Sequence, residues 1–305
     1  MHPAIVAIAK GEQDYILEFV VYHISIGFAS LYVYDNEDSP TYAALFDQAV
    51  KDNKLSPDYR ERIHVTHFPG NHFEKGVQYK ALDHFVDHYM RDASRGITHV
   101  LHIDIDEFLV FNPCHTKDNN HEPFLFTFIR EFIENEPCAA GVGINWRFYG
   151  SLEINKEENK EENKEEKQEE KQEEKSVLKR FLWANREYKE GDDVFPPCRH
   201  IKTLFRVDRF KKFRDCHSIE SIAGTYVVDT HKNKIRNKSI IDNVFYDVAQ
   251  LNHYKVKTFP EFKRAFLRGR ADFSSEKNGD LTKYDDEYIR SIFNVYDQKD
   301  VKVMH

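Results

Sequence analysis

Long apolar runs are missing from this chain of 305 residues: none approaches the roughly 18 to 20 consecutive apolar residues that span a bilayer, so no integral membrane segment is expected. Cysteine is scarce. The four cysteines, at 114, 138, 198 and 216, form no C-x-x-C pair and stand too far apart for a zinc framework or a disulfide scaffold, so reduced thiols are expected. Basic residues are outnumbered 44 to 52, giving a net charge of −8, and such a chain has no general basic field with which to wrap nucleic acid. No nucleic-acid partner is expected. The opening MHPAIVAIAK passes straight into a β-like run, without the basic, apolar and small-residue regions of a secretory signal. A soluble, cytoplasmic protein is expected.

Aromatics are plentiful instead. With 24 Phe and 16 Tyr, and 40% hydrophobic residues, the chain has material for a sizeable core, which rules out global disorder and suits one large domain or two small ones. One segment cannot join that core: Asn155 to Lys175 reads NKEENKEENKEEKQEEKQEEK, without a single apolar side chain. Its period sets like charges at i,i+4, so a disordered loop or a solvated helix is expected there as an insertion in a single catalytic domain.

Around that insertion the N-terminal half alternates short β-branched runs with amphipathic stretches. A strand over Ala4 to Ile8 is followed by a helix from Glu12, on which Ile16, Phe19, Val20, His23 and Ile26 share one face and Gly27 supplies the stop. Further strands are expected at Leu31 to Tyr34, Ile63 to Phe68 and Thr98 to Ile103, with helices at Tyr42 to Val50 and Val77 to Met90 between them. This β-α-β-α-β-α-β order predicts an α/β protein with a mainly parallel central sheet flanked by helices. Ligands then bind beyond the carboxyl ends of the strands.

Distinctive polar residues fall at those ends: Lys10 and Glu12 after the first strand, Asp35 and Asn36 after the second, and Asp104, Asp106 and Glu107 after the fourth. In THVLHIDIDEF the apolar Leu101, Ile103 and Ile105 alternate with His102, Asp104 and Asp106, so on an extended backbone both aspartates project to one side and can share a cation. Oxygen ligands suit Mg²⁺ or Mn²⁺, with a diphosphate as the bridging group. The competing reading is a solvated strand end with helix-capping acids. In Thr258, Phe259, Pro260 and Glu261 a capping box opens a helix carrying Phe262, Ala265 and Phe266 inward and ending near Gly269.

The run AIAKGEQDYILEFVVYHISIGFASLYVYDN resembles the opening of glycosyltransferase family 92 and its family-2-like relatives: a strand, a K-N-E turn, a helix ending in a tyrosine-histidine pair and glycine, then Y-D-N. Matches follow in order at Gln78, HIDIDEF, WRFYG from Trp146, KTLFR from Lys202, His217, LNHYKVKTFPEF from Leu251, and Arg268 with Gly269. Gly11 departs from the pattern, standing where the family usually has asparagine. The resemblance implies a GT-A nucleotide-diphospho-sugar transferase fold and transfer of a sugar, with inversion, from a nucleotide-sugar donor such as a UDP-sugar to a glycan or glycoprotein acceptor. Many eukaryotic members carry a membrane anchor, and since no membrane segment is expected in this sequence a soluble form such as a bacterial or large-virus enzyme is expected.

On that mapping Asp35 and Asn36 hydrogen-bond the base or ribose, Asp104 contacts ribose or metal water, and Asp106 binds the Mn²⁺ or Mg²⁺ ion directly. Lys10, Glu12 and Gln78 join the donor site; Lys257, Arg268 and Arg270 add positive charge around the diphosphate. His253, the histidine of the H-Y pair, closes the metal site, with His217 as the competing ligand. Trp146 reads equally as a core aromatic or a sugar-stacking platform. Inversion also needs a base for the acceptor hydroxyl. Glu220, Asp229 and Asp272 are the candidates, and Asp272 is favoured because it follows the Arg-Gly turn. Two other readings stay open: a nucleotidyltransferase or metal phosphoesterase, and a non-catalytic nucleotide-sugar or carbohydrate-binding protein.

Overall fold

The computed structural model describes residues 1–70, 76–112, 122–151, 176–186, 196–236, 239–269, 271, 279–297 and 300–302. Its first third carries the alternation read from the sequence: β1 (Pro3–Ala9), α1 (Ile16–Ser25), β2 (Ser30–Asp35), α2 (Tyr42–Lys51), a short α3 (Pro57–Glu61), β3 (Ile63–His67), α4 (Val77–Phe85) and β4 (His99–His102). β1 pairs in parallel with β2 and β4, and β2 with β3, so the carboxyl ends of these strands share one edge. Two elements differ from expectation. The first helix begins at Ile16 and not at Glu12; a turn precedes it, in which the Glu12 carbonyl accepts the amides of Tyr15 and Ile16. The helix expected over 77–90 is α-helical only to Phe85 and continues as a π turn, Val86–Met90, in which Tyr89 packs on Tyr32 and bonds Thr66 at 2.8 Å.

The second half breaks the parallel pattern. It comprises β5 (Glu107–Phe111), α5 (Phe124–Ile129), β6 (Ala139–Gly150), α6 (Val177–Arg180), β7 (Trp183–Ala184), β8 (Ile201–Arg206), β9 (Phe210–Phe213), β10 (Ile219–Ser221), β11 (Tyr226–Asp229), β12 (Lys234–Ile235), β13 (Ala249–His253), α7 (Phe259–Arg268), α8 (Asp286–Tyr296) and β14 (Val301–Lys302). β8 inserts antiparallel between β4 and β6, and the main order is β12-β11-β6-β8-β4-β1-β2-β3. The sheet is therefore mixed. β13 pairs antiparallel with β5 and in parallel with the second half of β6. Glycine permits the close approach of β6 to β8: a Cβ on Gly141 would lie 2.5 Å from the Leu204 carbonyl oxygen.

The pleat distributes the core to both faces. Ile5, Ala7, Leu31 and Val33 pack with Phe19 and Phe46 of α1 and α2, while Ala4, Val6, Tyr32 and Tyr34 pack with Leu82 and Phe85 of α4. His23, read from its spacing as part of the inward face of α1, is fully buried, and burial lowers its imidazole to about 3. Its Nδ1 bonds the Phe19 carbonyl at 2.8 Å, and its Nε2 accepts the Leu109 amide at 3.4 Å. Tyr22 donates to the Leu109 carbonyl at 2.8 Å. The tyrosine-histidine pair thus satisfies one edge of β5, a structural task. Among the described residues no helix is long and apolar enough to cross a membrane. Residues 155–175 lie outside the described residues.

The capping box forms at the start of α7, where the amide and hydroxyl of Thr258 donate to Glu261 Oε2 at 2.7 and 2.6 Å. The same carboxylate takes both Arg180 guanidinium nitrogens at 3.0 Å and the Tyr15 hydroxyl. Burial pushes the Glu261 carboxyl up, but these donors outweigh it and hold the group at about 2. The unfolded chain takes up that proton near 4.5, so the pair adds stability above pH 4.5 that is lost as the pH falls toward 2. Glu261→Gln should cost about 3 kcal/mol at neutral pH. Urea unfolding across a pH series should then show a flatter acid limb; a limb as steep as wild type would assign the acid sensitivity to other carboxyls.

Candidate functional site

The shared strand edge gathers the site. β4 stops at His102, so Asp104 and Asp106 stand in a turn and not on the extended backbone expected. The alternation in burial nevertheless persists: Ile103 and Ile105 are buried, while Asp104 and Asp106 stay partly open. Glu107 closes the turn, its amide donating to the Asp104 carbonyl and its Oε2 accepting the Asp104 amide, both at 3.1 Å.

Asp104 has a partner on each oxygen. Gln78 Nε2 donates to Oδ1 at 3.0 Å, and Lys202 Nζ to Oδ2 at 3.1 Å. Lys202 is fully buried on β8 and also lies 3.6 Å from Glu107 Oε2. Burial opposes its charge, yet the two carboxylates push its pKa above the usual lysine range. Burial raises the Asp104 carboxyl, and Lys202 overrides that to hold it at about 2. Glu107 is the opposite case, pushed well up by burial that Lys202 only partly offsets. In the sequence KTLFR stands only as part of an ordered motif set; β8 also carries Thr203 and Arg206, so nothing local marks its lysine as buried.

Asp106 faces His253 at the end of β13, with Oδ1 and Nε2 3.6 Å apart. That separation exceeds a hydrogen bond. Burial works against ionisation of Asp106, but His253, Lys257 and Lys255 together hold its carboxyl well below the usual range. The His253 imidazole is itself lowered by burial, with Asp106 pulling the other way. Lys255, which sequence reasoning passed over, belongs to this field and lies 4.2 Å from the Tyr296 ring centroid.

Other residues named from sequence have defined places. Glu12 is nearly buried and bonds Arg268 Nη1 at 2.9 Å, and Arg268 also donates to the Lys10 carbonyl. Burial raises the Glu12 carboxyl against the opposing charges of Lys257 and Arg268. Arg268 therefore ties the β1 turn to α7. Lys257, buried at a left-handed φ of 51°, places its ammonium 4.6 Å from the centre of the Tyr15 ring. Gly11 has φ +67°, a conformation that asparagine also tolerates, and a Cβ there would meet Arg268 Nη1 at 3.1 Å.

Asp35 spends its carboxylate on backbone, accepting the Thr41 and Tyr42 amides at 2.7 and 3.0 Å on Oδ2 and the Glu37 amide at 3.1 Å on Oδ1. Asn36 donates to the Phe68 and Gly70 carbonyls at 2.8 and 2.9 Å. Lys10 pairs with the exposed Asp38 at 3.3 Å. Glu220 sits on the β9–β10 hairpin with Lys211 and Lys212 at its carboxylate. Asp229 holds a turn through the amides of His231 and Asn233 at 2.9 Å. Asp272 and Arg270 lie outside the described residues; Ala271 between them accepts the Gln78 amide at 3.0 Å.

Trp146, on β6, is enclosed by three histidines, with ring centroids 4.5 Å from His253, 4.9 Å from His217 and 5.1 Å from His200. Among the described residues, four buried polar atoms here have no hydrogen-bond partner: Glu107 Oε1, Trp146 Nε1, His217 Nδ1 and His253 Nδ1. Unpaired buried groups of this kind cost roughly 1–3 kcal/mol each, and their concentration beside the Asp104–Asp106 turn marks where a polar ligand belongs.

A divalent ion fits Asp106 and His253 in part. Two ligands at about 2.1 Å from one ion can stand up to roughly 4.2 Å apart, so Oδ1 and Nε2 at 3.6 Å can both reach it. Asp104 is already engaged by Lys202 and Gln78. Among the described residues no group of three or more histidine, cysteine or acidic side chains converges on a metal position. The remaining ligands would be phosphate and water, a pattern usual for Mg²⁺. No protein-family model matches the chain, and no curated protein matches it.

Proposed function

We propose that this chain is a metal-dependent glycosyltransferase of GT-A type that moves a sugar, with inversion, from a UDP-sugar or similar donor to a hydroxyl of a glycan or glycoprotein. The observation that carries the reading is the approach of His253 to Asp106 in the turn just beyond β4, which runs parallel to β1, flanked by the ammonium groups of Lys257 and Lys255. Nucleotides bind at that edge of such sheets, and the resemblance to family 92 supplies the reaction.

Asp106 and His253 would hold the Mn²⁺ or Mg²⁺ ion, which supplies charge to offset the departing diphosphate. Lys257 and Lys255 add fixed positive charge where negative charge grows in the transition state. Arg268, bound to Glu12 and the Lys10 carbonyl, fixes the β1 turn against α7 and so shapes the donor pocket. Lys202 and Gln78 immobilise Asp104, which fixes the turn that presents Asp106.

Calorimetry with UDP, GDP and CMP, with and without Mn²⁺, tests the reading. UDP should bind at least about tenfold more tightly with the ion than after chelation. Equal binding with and without the ion would overturn the metal-dependent part, and no binding of any of the three would overturn the whole.

A further inference from the structure

The main sheet ends differently at its two edges. At one edge β12 is two residues long and begins with Lys234; at the other β3 presents five residues, Ile63–His67, with no lysine, no proline and no shift in its register. Short strands, charged side chains, proline and bulges are the devices that keep sheet edges from pairing, and β3 has none of them. The hydrogen bonds fix which of its backbone groups are free. At the two ends of the β2–β3 ladder the Leu31 amide donates to the Arg62 carbonyl at 2.9 Å and the Phe68 amide to the Asp35 carbonyl at 2.8 Å. Alternate residues of a parallel strand bond the same neighbour, so His64 and Thr66 turn their N–H and C=O to β2 while Ile63, Val65 and His67 turn theirs outward. Among the described residues only Arg60 Nη1, on the Ile63 carbonyl at 3.0 Å, meets any of these outward groups.

The strand that fits this edge best is β3 itself. Set antiparallel about a twofold axis through Val65, a second β3 brings every outward group opposite an outward group: Val65 meets Val65 and Ile63 meets His67, each pair exchanging N–H···O bonds. Between them His64 stands opposite Thr66. Val65 packs with Val33 on the α1 and α2 side, so a second Val65 extends that apolar face across the axis as a β-branched pair. No like charges face each other. Burial, with Arg95, Arg60 and His2 adding to it, lowers the His64 imidazole, which keeps that ring neutral at physiological pH. The flanking charges are paired within one copy: Arg60 with Asp47 at 2.7 Å, Arg62 with Asp58 at 3.7 Å and Arg95 with Asp92 at 3.5 Å. The net charge of −8 on each copy opposes association at low salt, but β3 carries no acidic residue.

We propose that β3 pairs antiparallel with β3 of a second copy, joining two sheets into one across a twofold axis at Val65. The inference is independent of the transferase reading. Analytical ultracentrifugation of the full chain from micromolar to millimolar concentration, with amide hydrogen exchange followed by NMR, tests it. Wild type should show a monomer–dimer equilibrium. The Val65 and His67 amides should gain protection as the dimer fills, whereas the His64 and Thr66 amides, bonded to β2, should be protected throughout. Val65→Lys keeps the backbone and sets two ammonium groups face to face, so it should weaken the dimer at least about tenfold. Val65→Pro removes an N–H that points outward and leaves the β2 bonds in place, and it should weaken the dimer by a similar factor. Thermal unfolding of dilute protein checks that the variants fold; if the proline variant does not, Val65→Lys decides, since this half-buried side chain can carry its charge to solvent. A wild-type chain that stays monomeric at every concentration overturns the proposal, and so does a dimer of unchanged strength in Val65→Lys, which puts the interface elsewhere. Val65 and His67 amides as protected in the monomer as in the dimer would mean that the chain covers its own edge, and would overturn it equally.

Discussion

Asp106→Asn should weaken Mn²⁺-dependent UDP binding by at least about 100-fold and transfer by as much or more. Loss of an outer-shell partner alone typically costs 10–100-fold in metal affinity, and Asp106 is proposed as a direct ligand. The fold should tolerate the change, because the structural contact at this position is a backbone one: the Tyr254 amide donates to the Asp106 carbonyl at 2.9 Å. Thermal unfolding without ligand therefore serves as the control. His253→Ala should lose metal-dependent binding alongside it, whereas His217→Ala should not. Wild-type protein should keep binding as the pH falls through 6.5, since burial holds His253 below that ordinary value and Asp106 stays ionised. An Asp106→Asn protein that binds UDP as tightly as wild type, with the same response to chelation, would remove the site from the mechanism.

Lys202→Met should be the most destabilising single change near the site, by about 3–5 kcal/mol in urea unfolding at neutral pH. Lys202 and Glu107 have fully buried side chains 3.6 Å apart, and Asp104 is 3.1 Å from the same ammonium. Methionine fills the volume but leaves two acidic groups without their cation. Glu107, already pushed up by burial, would hold its proton still more firmly, while the unfolded chain releases it near 4.5. A folded-state value above the unfolded one means stability that is greatest below pH 4.5 and declines as the pH rises toward the folded value. The Lys202→Met protein should accordingly lose more stability between acid and neutral pH than wild type does. Adding Glu107→Gln should restore part of the loss by removing the carboxyl that has no exposure. Destabilisation below about 1 kcal/mol would mean that water reaches these groups and that the cation is not required.

Particular residues show why some of this was readable in advance. The continuous burial of β1 and β2, matching their unbroken short apolar runs, and the three- and four-residue spacing on α1 depend on neighbours within one element, so they are written locally in the sequence. The Thr258–Glu261 box is equally local, with donor and acceptor three residues apart. The second task of Glu261 was hidden, because Arg180 lies 81 residues away. Asp104 and Asp106 stood out as acids punctuating an apolar run. Lys202, 98 residues from Asp104, carried no comparable mark.

The sequence by itself determined the α/β alternation, the burial pattern and the position of the acidic turn after the fourth strand, because each follows from steric and solvation preferences of adjacent residues. Tertiary structure alone decided that β8 runs antiparallel between β4 and β6, that its lysine meets Asp104 and Glu107, and that β13 brings His253 to Asp106. Strand pairing is chosen by burial summed over a whole sheet face, so its register, and every charge contact the register creates, depends on residues far apart in the chain.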